Sequence, residues 1–518
     1  MAAINVEYVE NLYPIFTKPK RIKIIVGGRG STKSTGVADY VAAKVSKGDL
    51  WCCARENQNS IEESVHRTIL EEIARLEIPG FEETKTSITH VASGGRTFYR
   101  GLARNITSLK STLSGIDGLW IEEGEDISSN TLRVLTASVR LNASDTEELL
   151  QGEEIESIEE LEALLAKSDI KMPEIIITMN RGPRTGAIAQ KLLKRAEFEL
   201  SRCGYYEDDF LMVVQMNYTD MPKSWFIASG LEQERLDDLD TLSSAAYTHK
   251  WDGGYLDEVE NSIIKSEWFD AAIDAHKLDR LREAMKPRGL TLVTYDPMDG
   301  GKDAHGYACR HGSIIKRATC NNKGEIDVGC AWAMSLAKED KADWFEWDGD
   351  GMGTGLRFQV SQEFNDSRID YHMFKGSLSG SGQDNADNLF VESVIRKSIK
   401  ENATFADTFK NNRSQYYYAL ALRFYNTYRA VVKGEYVDPS EMISIDSDGV
   451  DDMDLLRSEV CRIPRKENNT GLYQIMSKLE MKNNGIPSPN IADCIMMSMW
   501  GPKIKKKRAN QATPRRRA

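Results

Sequence analysis

The seven histidines of this chain never cluster at metal-ligand spacing, and none of its eight cysteines stands at CxxC spacing to another. These absences exclude a zinc site and a disulfide framework. They leave the cysteines as buried small hydrophobes or free thiols in a reducing compartment. Any metal must then be held by carboxylates. Long apolar stretches are missing too. No run approaches 18 residues and no signal peptide opens the chain, so no membrane span or membrane partner is expected. An excess of positive charge is also missing. The net charge of −12 argues against a passive nucleic-acid coat and confines any DNA contact to local basic patches. What is present, 41% hydrophobic and 28% charged residues, is ordinary for a globular protein. A chain of 518 residues calls for two or more domains, because single cores stop growing at ~250–300 residues.

The first informative stretch is RIKIIVGGRGSTKST, Arg21 to Thr35. Ile22, Ile24, Ile25 and Val26 suit a buried strand that stops at Gly27-Gly28. After Lys33-Ser34-Thr35 the apolar residues Val37, Ala38, Val41, Ala42 and Val45 follow helical spacing. Strand, glycine-rich turn and helix form the setting of a phosphate-binding loop. Glycines let backbone N–H groups close around phosphate oxygens, and the helix N-terminus adds positive charge. Lys33 is placed to reach the β- and γ-phosphates, and the Ser34 hydroxyl to hold Mg²⁺. The loop residues Gly27, Gly28, Arg29, Gly30, Ser31, Thr32, Lys33, Ser34 and Thr35 are therefore candidate ATP-binding residues. Thr32 departs from the pattern, standing where a second glycine belongs, and must avoid positive φ or accept strain. Ahead of the loop, Tyr8, Tyr13 or Phe16 could stack on a nucleotide base or cap the sheet edge.

Downstream, Leu50 to Ala54 reads as a second buried strand and Ser60 to Leu76 as a helix. Gly118 to Glu125, GLWIEEGE, is an apolar strand ending in Glu122 and Glu123. Phosphate-loop ATPases need one acid at such a strand end to hold Mg²⁺ and a neighbouring acid to deprotonate the attacking water. Residues 142–172 form an acidic insertion that reads as an exposed amphipathic helix. Glu174 to Thr178 is another buried strand, followed by Met179 and Asn180. A polar residue there could sense the γ-phosphate. Phe210 to Gln215 completes the strands of an α/β sheet with parallel order. The expected division is 1–250 for this domain, 251–288 for a helical connector, 289–500 for a second domain and 501–518 for a tail.

In the second half, GLTLVTYDP ends a strand at Asp296, and DWFEWDGDGMGTG ends another at Asp348 and Asp350. PNIADCIMMSMW opens a helix with Asp493 in its first turn. Together with Asp303, these carboxylates can converge as in a two-metal nuclease of the ribonuclease H type. There, hard cations ~3.5–4 Å apart clamp the attacking and leaving oxygens of a phosphodiester. Asp350 is the rival of Asp348, which follows directly on the apolar strand. Asn411 to Phe424 reads as a helix whose neighbours Arg413, Arg423 and Arg429 either guide nucleic acid or cover a core. The tail carries eight Lys or Arg and no acid, suited to phosphate or to an acidic partner.

The motifs RIKIIVGGRGSTKS, CARENQNSIEESV, SLKSTLSGIDGLWIEE, TMNRGP, THKWDGGY, DPMDGGKDAHGYACRHGSIIKR, WDGDGMGTG, NNRSQYYYALALRFYNTYRAVV and GIPSPNIAD run in order along nearly the whole chain. Together they resemble the large terminase subunits of tailed double-stranded DNA phages, above all those of short-tailed phages. The resemblance implies an α/β architecture: an N-terminal P-loop ATPase of the ASCE type with a mostly parallel sheet, then a ribonuclease H-like nuclease. It implies that ATP hydrolysis drives double-stranded DNA into a prohead and that the nuclease cuts concatemers to genome length. By the family pattern Arg29 acts on the γ-phosphate, Glu122 is the Mg²⁺-side acid and Glu123 the base. Met179 and Asn180 lie in the coupling motif, where Arg181 replaces a common proline. Asp296, Asp348 and Asp493 match the nuclease acids. The implied cofactors are Mg²⁺ with ATP, and two Mg²⁺ or Mn²⁺ ions in the nuclease. The implied partners are DNA, the portal and prohead, the small terminase subunit and further copies in a ring, all in the host cytoplasm. A helicase-nuclease shares the ATP and metal chemistry but needs arginine fingers in a second recombinase-like domain. A scaffold with degenerate motifs would not keep Lys33-Ser34 and Glu122-Glu123 intact.

Overall fold

The computed structural model describes residues 9–56, 61–102, 112–152, 154–259, 261–298, 303–397 and 400–499, with side chains from residue 64 onward in the second stretch. Tyr8, the basic tail 501–518 and the motif segments 57–60, 108–111 and 299–302 lie outside them. The chain divides into two compact units, Met1–Asp257 and Glu258–Ala518.

The first unit is built on a nine-stranded sheet of order β3-β4-β5-β2-β6-β7-β1-β9-β8. Its strands are β1 (Ile22–Val26), β2 (Leu50–Arg55), β3 (Phe81–Thr84), β4 (Ser87–His90), β5 (Arg96–Gly101), β6 (Gly118–Glu122), β7 (Glu174–Met179), β8 (Tyr205–Glu207) and β9 (Leu211–Gln215). The run β5-β2-β6-β7-β1-β9 is parallel throughout, and antiparallel strands close both margins. All five residues of β1 are buried. Ile22, Ile24 and Val26 pack with Ile121, Ile177 and Val213 on one face, while Ile25 meets Val37, Val41, Trp120 and Val214 on the other. A parallel sheet covered on both faces buries every residue of such a strand, and Lys23, the one charged member of β1, is paired with Glu174 at 2.6 Å. Helices α1 (Lys33–Val45) and α2 (Ile61–Arg75) pack together on the second face. The insertion is not one helix but two, α3 (Ala143–Leu150) and α4 (Ile158–Leu165). Only Leu149 of the two is buried. Phe16 stacks on Tyr40 of α1 at 4.7 Å, which commits its ring to the fold, and Tyr13 is exposed.

The second unit carries a six-stranded sheet of order β14-β13-β10-β11-β12-β15. Its strands are β10 (Thr291–Asp296), β11 (His305–His311), β12 (Ile314–Asn321), β13 (Trp344–Asp348), β14 (Asp370–Phe374) and β15 (Ser444–Ile445). β10, β11 and β12 form an antiparallel meander, and β13 and β14 join β10 in parallel. Helices α5 (Ser266–Ala272), α6 (Asn412–Val431), α7 (Met453–Cys461) and α8 (Asn490–Met497) share one core. The segment read as a connector, 251–288, is divided. Residues from Glu258 onward belong to the second unit, where Ile263, Ile264, Phe269 and Ala272 are buried in that core.

Candidate functional sites

In the first unit the loop after β1 wraps the start of α1. No hydrogen bond among the described residues takes the N–H groups of Gly30 to Thr35, which leaves a concave row of donors at a helix N-terminus. The adjoining amides are already used: Gly28 N–H donates to Asn217 Oδ1 at 3.2 Å and Arg29 N–H to the Lys250 carbonyl at 2.7 Å. Gly28 leaves no alternative, since a Cβ there would stand 2.2 Å from the Trp251 carbonyl oxygen. Thr32 does not avoid positive φ. It takes φ 51° and ψ 25°, the left-handed conformation a glycine would adopt freely.

Lys33 folds back over the loop. Its ammonium donates to the carbonyls of Gly27 at 2.9 Å and Gly28 at 2.7 Å, to Ser31 Oγ at 3.0 Å and to Asn180 Oδ1 at 3.2 Å. Burial pulls its pKa down to about 8, and the charge of Glu125 opposes that shift. Asn180 therefore reaches the same ammonium as the loop. Met179 ends β7 in the core, and Arg181 ties the next residue to Gly253 O and Gln215 Oε1 at 3.3 and 3.2 Å. Arg29 is well exposed and pairs with Glu234 at 3.5 Å.

Glu122 and Glu123 end β6 as expected, and one residue grips both. Arg55, at the end of neighbouring β2, lies 3.1 Å from Glu122 Oε2 and also pairs with Glu123. Ser64 Oγ donates to Glu122 at 3.4 Å. Glu123 has left-handed backbone, φ 55°, which turns it out of the strand. Burial raises its pKa, partly offset by Arg55.

In the second unit Asp296, Asp348 and Asp493 come together. Asp296 and Asp348, with Asp303, Asp350, Met352, Arg413 and Lys478, line a cavity of about 530 Å³. Lys478 Nζ bridges Asp296 Oδ2 at 2.8 Å and Asp493 Oδ2 at 2.9 Å. The other oxygen of Asp493 accepts from the Tyr417 hydroxyl at 2.6 Å and from Arg413 at 3.3 Å. Burial raises Asp493, but Arg413, Lys478 and Tyr417 outweigh it and hold the carboxyl below its usual range. Burial pushes Asp296 up to about 6, with Asp493 adding and Lys478 opposing. Burial and the charge of Asp296 push Asp348 to about 7. The raised values of Asp296 and Asp348 mark buried carboxylates gathered with too little positive charge, whereas Asp493 has its own cations.

The rival Asp350 behaves differently. Its carboxylate accepts from Ser377 N–H at 2.8 Å and Ser377 Oγ–H at 2.7 Å, while its own N–H donates to Asp348 Oδ1 at 2.9 Å. It closes the turn that presents Asp348.

A family model described as phage terminase large subunit matches residues 19–233. The solved nuclease domain of the large terminase subunit gp2 of bacterial virus Sf6 is 45% identical, over 46% of this chain and 99% of that one, with a TM-score of 0.41. The chain belongs to the phage terminase large subunit family. A point-mutant form of the Sf6 domain, solved with manganese and beta-thujaplicinol, is also 45% identical over 46% of this chain and 99% of that one, TM-score 0.41. The large terminase of a thermophilic bacteriophage is 10% identical over 93% of this chain and 98% of its own, TM-score 0.35. No curated protein matches.

This terminase subunit is an ATPase and nuclease of viral DNA packaging, and the helicase-nuclease alternative is not favoured. The arginines of α6 each have partners within the second unit. Arg413 serves Asp493, Arg423 donates to the Ser440 and Met442 carbonyls, and Arg429 pairs with Glu435. Lys478 lies outside the quoted motifs, and Arg55 and Tyr417 lie in motifs that assign them no role; only the fold brings the three to the acids. Elsewhere in the second unit, Asp274, His276 and Asp446 bring ligand atoms within 4.8 Å of one another. There Lys277 contacts both acids at 2.9 and 3.0 Å and Lys316 contacts Asp446 at 2.7 Å.

Proposed function

We propose that this terminase subunit hydrolyses ATP with Glu123 as base, and cuts DNA at two Mg²⁺ or Mn²⁺ ions held by Asp296, Asp348 and Asp493. The observation that carries the reading is the gathering of these three carboxylates, from two strand ends and a helix start, around Lys478. Their donors are hard oxygens with no thiol or imidazole among them, which suits Mg²⁺ or Mn²⁺ and not zinc. Bound there, the cations would polarise the phosphodiester and lower the pKa of the attacking water. Tyr417 and Arg413 occupy one Asp493 oxygen, so a metal would share the other, Oδ2, with Lys478 or displace it.

In the ATPase, the free N–H row from Gly30 to Thr35 and Lys33 would bind the phosphates. Ser34 and Glu122 would hold the nucleotide's Mg²⁺, and Arg29 would reach the γ-phosphate. The hydroxyl of water adds to the γ-phosphorus, ADP leaves, and Glu123 takes the proton. Lys33 must leave Asn180 to reach a phosphate. That exchange supports Met179-Asn180 as the point where hydrolysis couples to movement. The partners of this reading are double-stranded DNA, the portal and prohead, the small terminase subunit and other copies in a ring, in the host cytoplasm.

Two measurements test it. Glu123→Gln should bind ATP normally and lose hydrolysis by ~100-fold or more; normal turnover rejects the base. Asp348→Ala should abolish Mn²⁺-dependent linearisation of a supercoiled plasmid while sparing ATP hydrolysis. Cutting that survives in Asp348→Ala but is lost in Asp350→Ala moves the ligand by two residues.

A further inference from the structure

Helix α8 carries Asp493 but lacks a capping side chain of its own: its N-cap is Pro489, which makes no side-chain hydrogen bond. The first N–H groups of a helix need an acceptor, and a buried helix start without one is costly. The acceptor comes from another helix. Glu459, in α7, accepts from Ile491 N–H at 2.7 Å and from Ala492 N–H at 3.0 Å, both on the single atom Oε2. These are the second and third helical residues, the donors a capping side chain normally takes. Glu459 is only 9% exposed, and no motif of the sequence draws attention to it. The opposite end is held in the complementary sense. Arg310 of β11 donates to the Ser498 carbonyl at 3.0 Å, just past the last turn. The acceptor oxygen meets the free amides of one end, and the cation suits the negative end of the helix dipole.

We propose that Glu459 is a positioning residue for the nuclease: it caps the start of α8 from α7 and thereby fixes the height and direction of Asp493 against Lys478 and Asp296. This rests on Asp493 being a metal ligand. α8 is eight residues long, and Asp493 lies one residue beyond the last amide that Glu459 holds. Loss of the cap frees the turn that bears the ligand, while Thr294 Oγ1, bonded to the Cys494 carbonyl at 2.7 Å, still fastens the turn after it. The helix should remain and its first turn should fray. Groups that orient a ligand in this way are worth ~10–100-fold in metal affinity. Burial also pushes the Glu459 carboxyl up to about 8 against the pull of its two N–H donors. A neutral amide of the same length is therefore a near equivalent.

The test uses the full-length protein, with plasmid cutting titrated against Mn²⁺ and ATP hydrolysis measured alongside. Glu459→Ala should raise the Mn²⁺ concentration for half-maximal cutting at least tenfold and leave the rate at saturating Mn²⁺ within about threefold. Its ATPase should be unchanged. Glu459→Gln, which keeps the acceptor oxygen, should stay within threefold of wild type in Mn²⁺ demand. Wild-type Mn²⁺ demand in Glu459→Ala overturns the proposal, and so does a Gln variant as impaired as Ala. Should Glu459→Ala lose the thermal transition of the second unit, Glu459→Asp decides instead. Its carboxylate falls short of the two amides and must raise Mn²⁺ demand tenfold, or the proposal fails. Asp493→Ala in the same assay separates the two levels. If it cuts normally, the ligand assignment itself is wrong; if it is inactive while Glu459→Ala behaves as wild type, only the positioning role falls.

Discussion

Thr32 takes a left-handed conformation, φ 51°, in the middle of the phosphate loop. For a β-branched residue that conformation costs ~1–3 kcal/mol. Glycine would relieve the strain and return ~0.5–1 kcal/mol as extra freedom of the unfolded chain. Thr32→Gly should therefore stabilise the first unit by ~0–2.5 kcal/mol in denaturant unfolding, with ATPase retained. A loss of stability would mean that the Thr32 contact with Met221, 3.3 Å from hydroxyl to sulfur, outweighs the strain. Glu125 is the second informative residue. Burial raises its carboxyl to about 7, and its Oε2 has no hydrogen-bond partner among the described residues. A carboxyl raised on folding adds stability below its unfolded value and loses it as pH climbs through 7. The first unit should therefore weaken between pH 6 and pH 8, by on the order of 1 kcal/mol. Glu125→Gln should flatten that slope in thermal melts; an unchanged slope would show that other groups set it.

At the scale of elements, the strand ends are legible in the sequence. An apolar run that stops at an acid or a glycine pair tells where a buried strand surfaces, and so β1, β6, β10 and β13 deliver Gly27, Glu122, Asp296 and Asp348 where the pattern puts them. The margin strands β3 and β4 are not legible. Phe81–Thr84 and Ser87–His90 mix polar and apolar residues without a buried run, because margin strands face water. Nor are the cations legible. Lys478 lies 182 residues from Asp296, and only the fold fixes which acid it meets. Arg55 illustrates the energetic weight of such a residue. It is about a tenth exposed and pairs with Glu122, itself almost as buried. Arg55→Ala leaves that carboxylate unpaired and should destabilise the first unit by ~3 kcal/mol. Denaturant unfolding of the first unit measures this, and a loss below ~1 kcal/mol would show that water already shares the pair.

For the whole molecule, the division at Glu258 predicts which pieces fold. A fragment beginning at 258 keeps Ile263, Ile264 and Phe269 in its core, whereas one beginning at 289 loses all three. Each such side chain contributes ~1.5–3 kcal/mol by burial, and the total rivals the stability of a typical domain. The 258–518 fragment should melt cooperatively and cut plasmid with Mn²⁺ and no ATP. The 289–518 fragment should aggregate, and a cooperative melt from it would return 258–288 to the status of a connector. The sheet of the first unit carries one more consequence, for behaviour at high concentration. An open sheet can zip onto another copy along either rim, and that is how crowded chains turn to fibre. Here one rim is the four-residue β3, with Glu82 and Glu83 exposed, and the other is the three-residue β8, whose Glu207 is pinned by Lys18 at 2.7 Å and Lys20 at 3.2 Å. Short, charged rims give this sheet a poor template for fibre growth, so a concentrated solution of the first unit should resist edge-to-edge stacking.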